Sequence, residues 1–157
     1  MARKGTYVKL ELDIDALREA LDDELDDAIF HGGLVVADVV RAKAPGEHIR
    51  DSVYVSTRKR TTYRRGEGYR NEEKPRKKGE TIIAAAYFTA KFFEFGTRAH
   101  EIRPSNARAL RLPDGFVARV SHPVMAARPF LRPALDEAGD KAAQVAADHL
   151  RQRMEAR

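Results

Sequence analysis

The chain has 157 residues, of which 43% are hydrophobic and 34% are charged. This length suits one domain, since domains commonly run to about 100–200 residues. The absence of cysteine excludes disulfides and thiolate metal sites. No apolar run approaches the roughly 18 residues of a membrane span, and Met1-Ala2-Arg3-Lys4 is not followed by the apolar core of a signal peptide. We therefore expect a single globular domain over residues 1–157 that does not enter a membrane.

The net charge of +5 is a property of one segment. Residues 58–78 hold ten lysines and arginines against three glutamates, so this segment carries +7 and the rest of the chain −2. Its glycines and Pro75 predict a long flexible loop or arm, residues 58–80, joining two strands. A solvated loop, a contact with an acidic neighbouring protein and a contact with DNA all remain open. The cations available for such a contact are Arg58, Lys59, Arg60, Arg64, Arg65, Arg70, Arg76, Lys77 and Lys78.

The N-terminal part of the chain predicts a strand and then a long helix. Residues Tyr7–Leu12 alternate between apolar and polar, which is typical of a strand. From Leu17 onward, apolar residues recur every three or four positions, which predicts an amphipathic helix of about 28 residues ending near Ala44-Pro45. Gly32-Gly33 would either bend this helix or admit another backbone. We interpret its aspartates as a solvated face near the positive end of the helix dipole; these are Asp22, Asp23, Asp26 and Asp27.

The middle of the chain predicts two strands and a short aromatic turn. Ile49–Ser56 reads as a strand, and Thr81–Phe88 as a buried strand beyond the basic segment. Thr89–Phe95 is rich in phenylalanine and predicts a helical turn plugged into the core, ended by Gly96. We expect the surrounding aromatic cluster to be core, with a subunit interface as the alternative; its members are Tyr87, Phe88, Phe92, Phe93 and Phe95.

The C-terminal part predicts a hairpin and a final helix. Pro113-Asp114-Gly115 is a strong turn signal between Ala109–Leu112 and Phe116–Val120. Arg128-Pro129 opens the last helix, whose apolar face runs to Leu150. The element order therefore predicts an α+β fold. Its mainly antiparallel sheet would pack against a long N-terminal helix and a C-terminal helix, with the long basic loop between two strands.

The sequence contains no legible catalytic constellation. Walker, GxSxG, HExxH and GxGxxG motifs do not occur, so we expect neither an enzyme nor a bound cofactor. His100, Glu101 and His122 match no metal-site spacing known to us, and we interpret these histidines as ordinary hydrogen-bonded residues. Glu94 stands among phenylalanines, and we expect this carboxylate to pair with an arginine such as Arg98 or Arg103.

Four motifs resemble those of one phage family, and they follow the same order along the chain. Residues 87–98 read YFTAKFFEFGTR, and resemble the aromatic segment with a Glu-Phe-Gly-Thr core in siphophage tail-completion or neck proteins, the HK97-type tail-component family. The upstream AKAP at residues 42–45, the HEIRP at 100–104 with the later His122-Pro123, and the ARPFLRPAL at 127–135 also match. The resemblance covers roughly Leu17 to Leu150. It departs from the family at Gly46–Ser52, where a Thr-Gly pair is missing.

The resemblance implies a structural protein of the head–tail junction or tail of a long-tailed bacteriophage or prophage. Such a protein is expected to form a ring, a hexamer, between the capsid connector and the tail tube. Its partners would be copies of itself, neighbouring head-connector and tail proteins, and DNA in the lumen. Its location would be the virion, after assembly in the host cytoplasm. DNA binding through residues 58–78 is the alternative function.

A ring subunit needs two different contact patches, and the motifs suggest where they lie. The candidate interface residues are Phe92, Phe93, Phe95, Gly96, Thr97, Arg128, Pro129 and Phe130. Plain helix initiation is the alternative interpretation of Ala127–Pro133. No catalytic, cofactor-binding or metal-binding residue is predicted.

Overall fold

The computed structural model describes residues 14–156, with side chains from residue 19 onward. The elements are α1 (Ile14–Lys43), α2 (Glu47–Asp51), β1 (Val53–Ser56), β2 (Ile82–Ala85), α3 (Ala90–Phe95), β3 (His100–Ile102), β4 (Leu110–Leu112), β5 (Gly115–Val117), β6 (Val120–His122) and α4 (Leu131–Glu155). The predicted long helix, aromatic helical turn, hairpin and final helix are all confirmed. The predicted strand Tyr7–Leu12 lies outside the described residues.

Helices α1 and α4 make the largest contact between elements of the fold. A side chain at Gly32 would bring its Cβ to 2.7 Å from the backbone oxygen of Ala142 on α4. A Cβ at Gly33 would lie 2.7 Å from side-chain carbons of both Val55 and Thr81. The two glycines therefore let α1 approach α4 at one position and the β1–β2 region at the next, which is the backbone approach expected of this pair.

The strands form three separate two-stranded antiparallel sheets instead of one larger sheet. In the first, β1 pairs with β2, with Val53 opposite Ala85 and Ser56 opposite Ile82. This sheet packs on α1 and confirms the α+β class. Strand β1 begins later than predicted, because the preceding residues form the short helix α2, closed by a hydrogen bond from the Arg50 amide to the Gly46 oxygen. Strand β2 is half-buried, where a buried strand was expected.

The core lies where α1, β1 and α4 meet. It is built mainly from small and β-branched side chains, and its largest fully buried side chain is Phe130, which is 1% exposed. Ala134 and Ala138 of α4 are buried against Val36 and Val40 of α1. Small residues on α4 allow the two helices to approach closely, and Phe130 fills the space at the beginning of α4.

Residues 57–81, which include the basic segment, connect β1 to β2 and fold back along them. The Thr62 amide donates to the oxygen of Val55 (2.9 Å), and the Arg70 amide to the oxygen of Ala86 (2.8 Å). The Phe88 amide donates in turn to the oxygen of Gly68 at 3.0 Å. This connection is therefore held to the sheet by backbone hydrogen bonds at several points along its length.

Residues 98–124 form a long hairpin, which we call the hairpin arm. At its base Thr97 and Met125 exchange two backbone hydrogen bonds, of 2.9 and 3.0 Å. The strands β3 and β6 continue it, with His100 opposite His122, and β4 and β5 complete it at the predicted Pro-Asp-Gly turn. Each strand of the arm packs mainly against its own partner strand, so most of the arm's side chains face solvent.

A matched pair of glycine substitutions tests the close contact between α1 and α4. Gly32→Ala should lower the free energy of unfolding by about 1–3 kcal/mol, because the new methyl meets the Ala142 backbone. Gly139→Ala should raise it by about 0.5–1 kcal/mol, because its methyl meets only ordinary contacts and alanine favours helix. Urea denaturation measures both. Equal effects of the two substitutions would contradict the close approach at Gly32.

Candidate interaction surfaces

A buried carboxylate from α3 caps the N-terminus of α4. Phe130 precedes α4 and supplies no side-chain cap. Glu94 takes that role: Oε2 accepts the amides of Phe130 (2.8 Å) and Leu131 (3.0 Å), and Oε1 that of Arg132 (3.2 Å). The predicted pairing of Glu94 with Arg98 or Arg103 is therefore wrong. The first turn of a helix carries unsatisfied N–H groups and partial positive charge. This carboxylate therefore binds the start of α4 and not an arginine side chain.

Two further contacts fix the residues around this cap. Gly96 ends α3 with a φ of 71°, and a Cβ there would lie 2.6 Å from the Met125 oxygen and 2.9 Å from the Ala127 nitrogen. The Arg128 amide donates to the oxygen of Phe93 at 2.7 Å. The Phe-Gly-Thr motif and the Ala-Arg-Pro-Phe motif, about thirty residues apart in sequence, are therefore in direct contact.

The predicted aromatic core is only partly a core. Phe95 is 80% exposed and Phe88 is also exposed, so their assignment to the core is wrong. Phe92 and Phe93 are half-buried and line an apolar groove of about 330 Å³ between α3 and the base of the arm. Phe130, predicted at the interface, belongs to the core instead, because it packs beneath the start of α4.

The remaining candidate interface residues share one region of the surface. Arg128 and Pro129 are exposed, while Gly96 and Thr97 are half-buried. The contacts at Gly96 and the Thr97–Met125 bridge bring the end of α3 close to the residues that precede α4. The surface consists of Phe95 with its neighbours and the exposed Arg128-Pro129 pair.

The basic segment is partly neutralised by the acidic face of α1. Lys59 pairs with Asp23 and Lys78 with Asp22, and the hydrogen bond from Lys78 holds the pKa of Asp22 below its ordinary value. The buried Asp26 accepts the Thr57 hydroxyl at 2.6 Å. The predicted solvated face is therefore wrong for the buried pair, Asp26 and Asp27.

Six of the nine predicted contact cations are exposed and form no ion pair within residues 19–156. They are Arg58, Arg64, Arg65, Arg70, Arg76 and Lys77. The folded chain therefore keeps a basic surface, smaller than composition alone indicates, that an anionic partner can approach.

An ion-pair network that the sequence analysis missed joins α1, α4 and the basic segment. Asp27 Oδ2 lies 2.9 Å from His149 Nε2, and Asp27 Oδ1 lies 2.9 Å from an Arg60 guanidinium nitrogen in a charge pair that lacks hydrogen-bond geometry. His31 stacks on His149 with ring centroids 4.2 Å apart and an interplanar angle of 17°. Two features of the sequence could have indicated this network: the i, i+4 spacing of Asp27 and His31, and the position of His149 on the apolar face of α4.

This network has metal-ligand residue types within reach of one another, but its geometry is that of an ion pair. Imidazole ligands bind a metal through in-plane lone pairs. The rings of His31 and His149 are nearly parallel, so their lone pairs cannot both point at one ion. The Asp27 oxygen that does not face His149 already lies against the Arg60 guanidinium. On the arm, His100 and His122 stack at 5.0 Å and contact backbone oxygens, as expected of ordinary hydrogen-bonded histidines.

The exposed arm, the exposed aromatic turn and the exposed basic surface are features of a protein that contacts other macromolecules. Residues 9–96, more than half of the chain, match the bacteriophage HK97-gp10 tail-component family. The chain belongs to this family, and it is a structural phage tail component associated with the virion. No curated protein and no solved structure matches it. None of the helices within residues 14–156 is long and apolar enough to cross a membrane.

The cap at the start of α4 can be tested by substitution at Glu94. Glu94→Ala should lower the free energy of unfolding by about 2–4 kcal/mol, because the buried Phe130 amide and the two part-buried amides that follow it lose a charged acceptor. Glu94→Gln keeps one acceptor oxygen and should cost about half as much. Glu101→Ala, which removes only exposed ion pairs, is the matched control and should cost about 0–1 kcal/mol. Equal stability of Glu94→Ala and the control would rule out the cap.

The network at Asp27 predicts a specific dependence of stability on pH. Burial raises the pKa of Asp27, but the hydrogen bond from His149 and the charges of Arg60 and His31 outweigh it, so this pKa is lowered from its ordinary value of 3.8. A carboxylate whose pKa is lower in the folded than in the unfolded protein stabilises the fold at pH values above the unfolded pKa. This contribution is lost as the pH falls through the folded pKa.

Urea denaturation should therefore show that Asp27→Asn is less stable than wild type at about pH 5. The gap should narrow as the pH falls below about 4. Asp136→Asn, at an exposed aspartate, is the control and should show no such trend. A gap that stays constant with pH would contradict the assignment.

Proposed function

We propose that this tail component completes the head–tail junction by forming a ring through contacts between copies of itself. The observation that carries the proposal is the presence of two different apolar surfaces on one monomer. Phe95, 80% exposed, lies at the end of α3, and Phe116, 74% exposed, lies near the tip of the hairpin arm. A closed ring is built from a heterologous contact, in which one patch of each subunit meets a different patch of the next.

The residues that hold the first surface support an interface role. Glu94, Gly96 and the Thr97–Met125 bridge keep the exposed turn in one conformation. A rigid surface loses little conformational entropy when it binds, so more of its contact energy appears as affinity. An exposed phenylalanine on a rigid turn is typical of the aromatic anchors on which interfaces depend.

The basic surface supports a second contact of the same assembly. Its six exposed cations form no ion pair within the described side chains, and they suit either DNA in the lumen of the ring or an acidic head-connector or tail protein. Either contact would weaken with added salt, because it depends on charge. In this proposal the basic segment binds a neighbour of the ring and is not needed to build it.

The proposal is tested in the phage that encodes the chain. Deleting its gene should leave unjoined heads and tails, and adding the purified protein to that lysate should restore infectious particles. Electron microscopy of the purified protein, alone or with isolated tails, should show rings. Substituting all six exposed cations with glutamine should leave rings intact while reducing restoration of infectivity. Joined, infectious particles produced without the gene would overturn the proposal.

A further inference from the structure

The hairpin arm exposes an apolar side chain beside a cation. Phe116 pairs directly with Arg111 across β4 and β5, and directly opposed residues of an antiparallel pair share one face of the hairpin. Both are exposed, and Arg111 forms no ion pair within the described residues. Over residues 98–124 the arm holds five arginines against two carboxylates, a net charge of +3 with its histidines neutral.

Such an arm has little to hold it in place within the monomer. A two-stranded hairpin alone is marginally stable in water, and most of the arm's side chains are exposed. Phe116, which shares a face of the hairpin with Arg111, therefore lies on a surface that gains stability when another molecule covers it. The arm needs a partner surface that is apolar at its centre and acidic at its rim.

Helix α4 offers such a surface. An apolar groove of about 210 Å³ runs between α1, β2 and α4, and Leu135, Gly139 and Ala143 line its α4 side. Leu135 is 52% exposed. Asp136 and Asp140, one helical turn apart, follow Leu135 and Gly139 in sequence and lie on the neighbouring face of the helix. Both are exposed and form no ion pair within the described side chains.

We infer that the hairpin arm of one copy docks in the α4 groove of the next copy. Phe116 enters the groove over Gly139, one helical turn from both Leu135 and Ala143. Arg111 pairs with Asp136 and Asp140 at the edge of the groove. The occupant is a second copy of this chain because the arm carries unpaired positive charge where the groove edge carries unpaired negative charge. The contact joins two different surfaces, so it repeats from subunit to subunit around a ring. The inference rests on the proposed ring: it names the surface that receives Phe116 and leaves the Phe95 surface for a neighbouring head-connector or tail protein.

Two complementary variants test this docking. The arm variant carries Phe116→Ser and Arg111→Glu, and the groove variant carries Asp136→Lys and Asp140→Lys. All four positions are exposed, so the fold should survive, and circular dichroism checks this. Each variant alone should lose ring formation, with association weakened at least about tenfold, because either change removes attraction and adds repulsion at the one interface.

Mixing the two variants distinguishes this interface from any symmetric one. The groove variant still has an intact arm, and the arm variant still has an intact groove, so one contact can form. Light scattering should therefore show a heterodimer that grows no further. Lys141→Glu, a charge reversal elsewhere on α4, is the matched control and should still form rings. Normal rings from either variant would overturn the docking while leaving the proposed function standing.

The absence of cysteine allows a direct test as well. The double variant Phe116→Cys and Ala143→Cys should form a ladder of disulfide-linked oligomers on mild oxidation, whereas each single variant should stop at a dimer. In the matched control, Gln144→Cys replaces Ala143→Cys at an exposed position that does not line the groove. Equal ladders from the two double variants would overturn the inference. Failure of wild type to join heads to tails would instead overturn the proposed function.

Discussion

The carboxylate of Glu94 is the constraint on which the surface of this molecule depends. It satisfies three amides at the beginning of α4, which has no capping side chain of its own. Without an acceptor the buried Phe130 amide would be desolvated and unpaired, at a cost of about 1–3 kcal/mol, and the two part-buried amides would add a smaller cost. The same bonds tie α3 to the residues before α4. One buried group thus stabilises the fold and positions the exposed Phe95 beside the base of the hairpin arm.

Close packing of α1 on α4 has a consequence for the outer surface. Gly32 admits the α4 backbone, and Ala134 and Ala138 keep the space between the helices small. Within residues 19–156, α1 and the small β1–β2 sheet cover one side of α4 and leave its other sides exposed or half-exposed. Leu135 is left half in solvent. The apolar residues that an isolated helix would bury against a larger sheet become a groove that a neighbouring chain can fill.

The elements set by local signals were predictable, and the contacts between distant elements were not. Helical periodicity and Pro45 define α1, and Pro113-Asp114-Gly115 defines the arm's turn. The partner of Glu94 depends on which helix start lies near α3, and no periodicity encodes that. One signal was available: Arg128-Pro129 opens a helix without Ser, Thr, Asp or Asn at its cap, so an acceptor had to come from elsewhere. The pairing of α1 aspartates with the basic segment is equally non-local.

The distribution of charge favours encounters between copies of the chain and with its neighbours in the particle. Three cations of the basic segment are neutralised within the monomer, whereas Arg111 of the arm, the α4 edge and the remaining basic surface keep unpaired charge. Contacts of this kind steer encounter and select partners more than they add affinity. A closed ring would be more durable than a single contact, because each of its subunits is held on two sides at once.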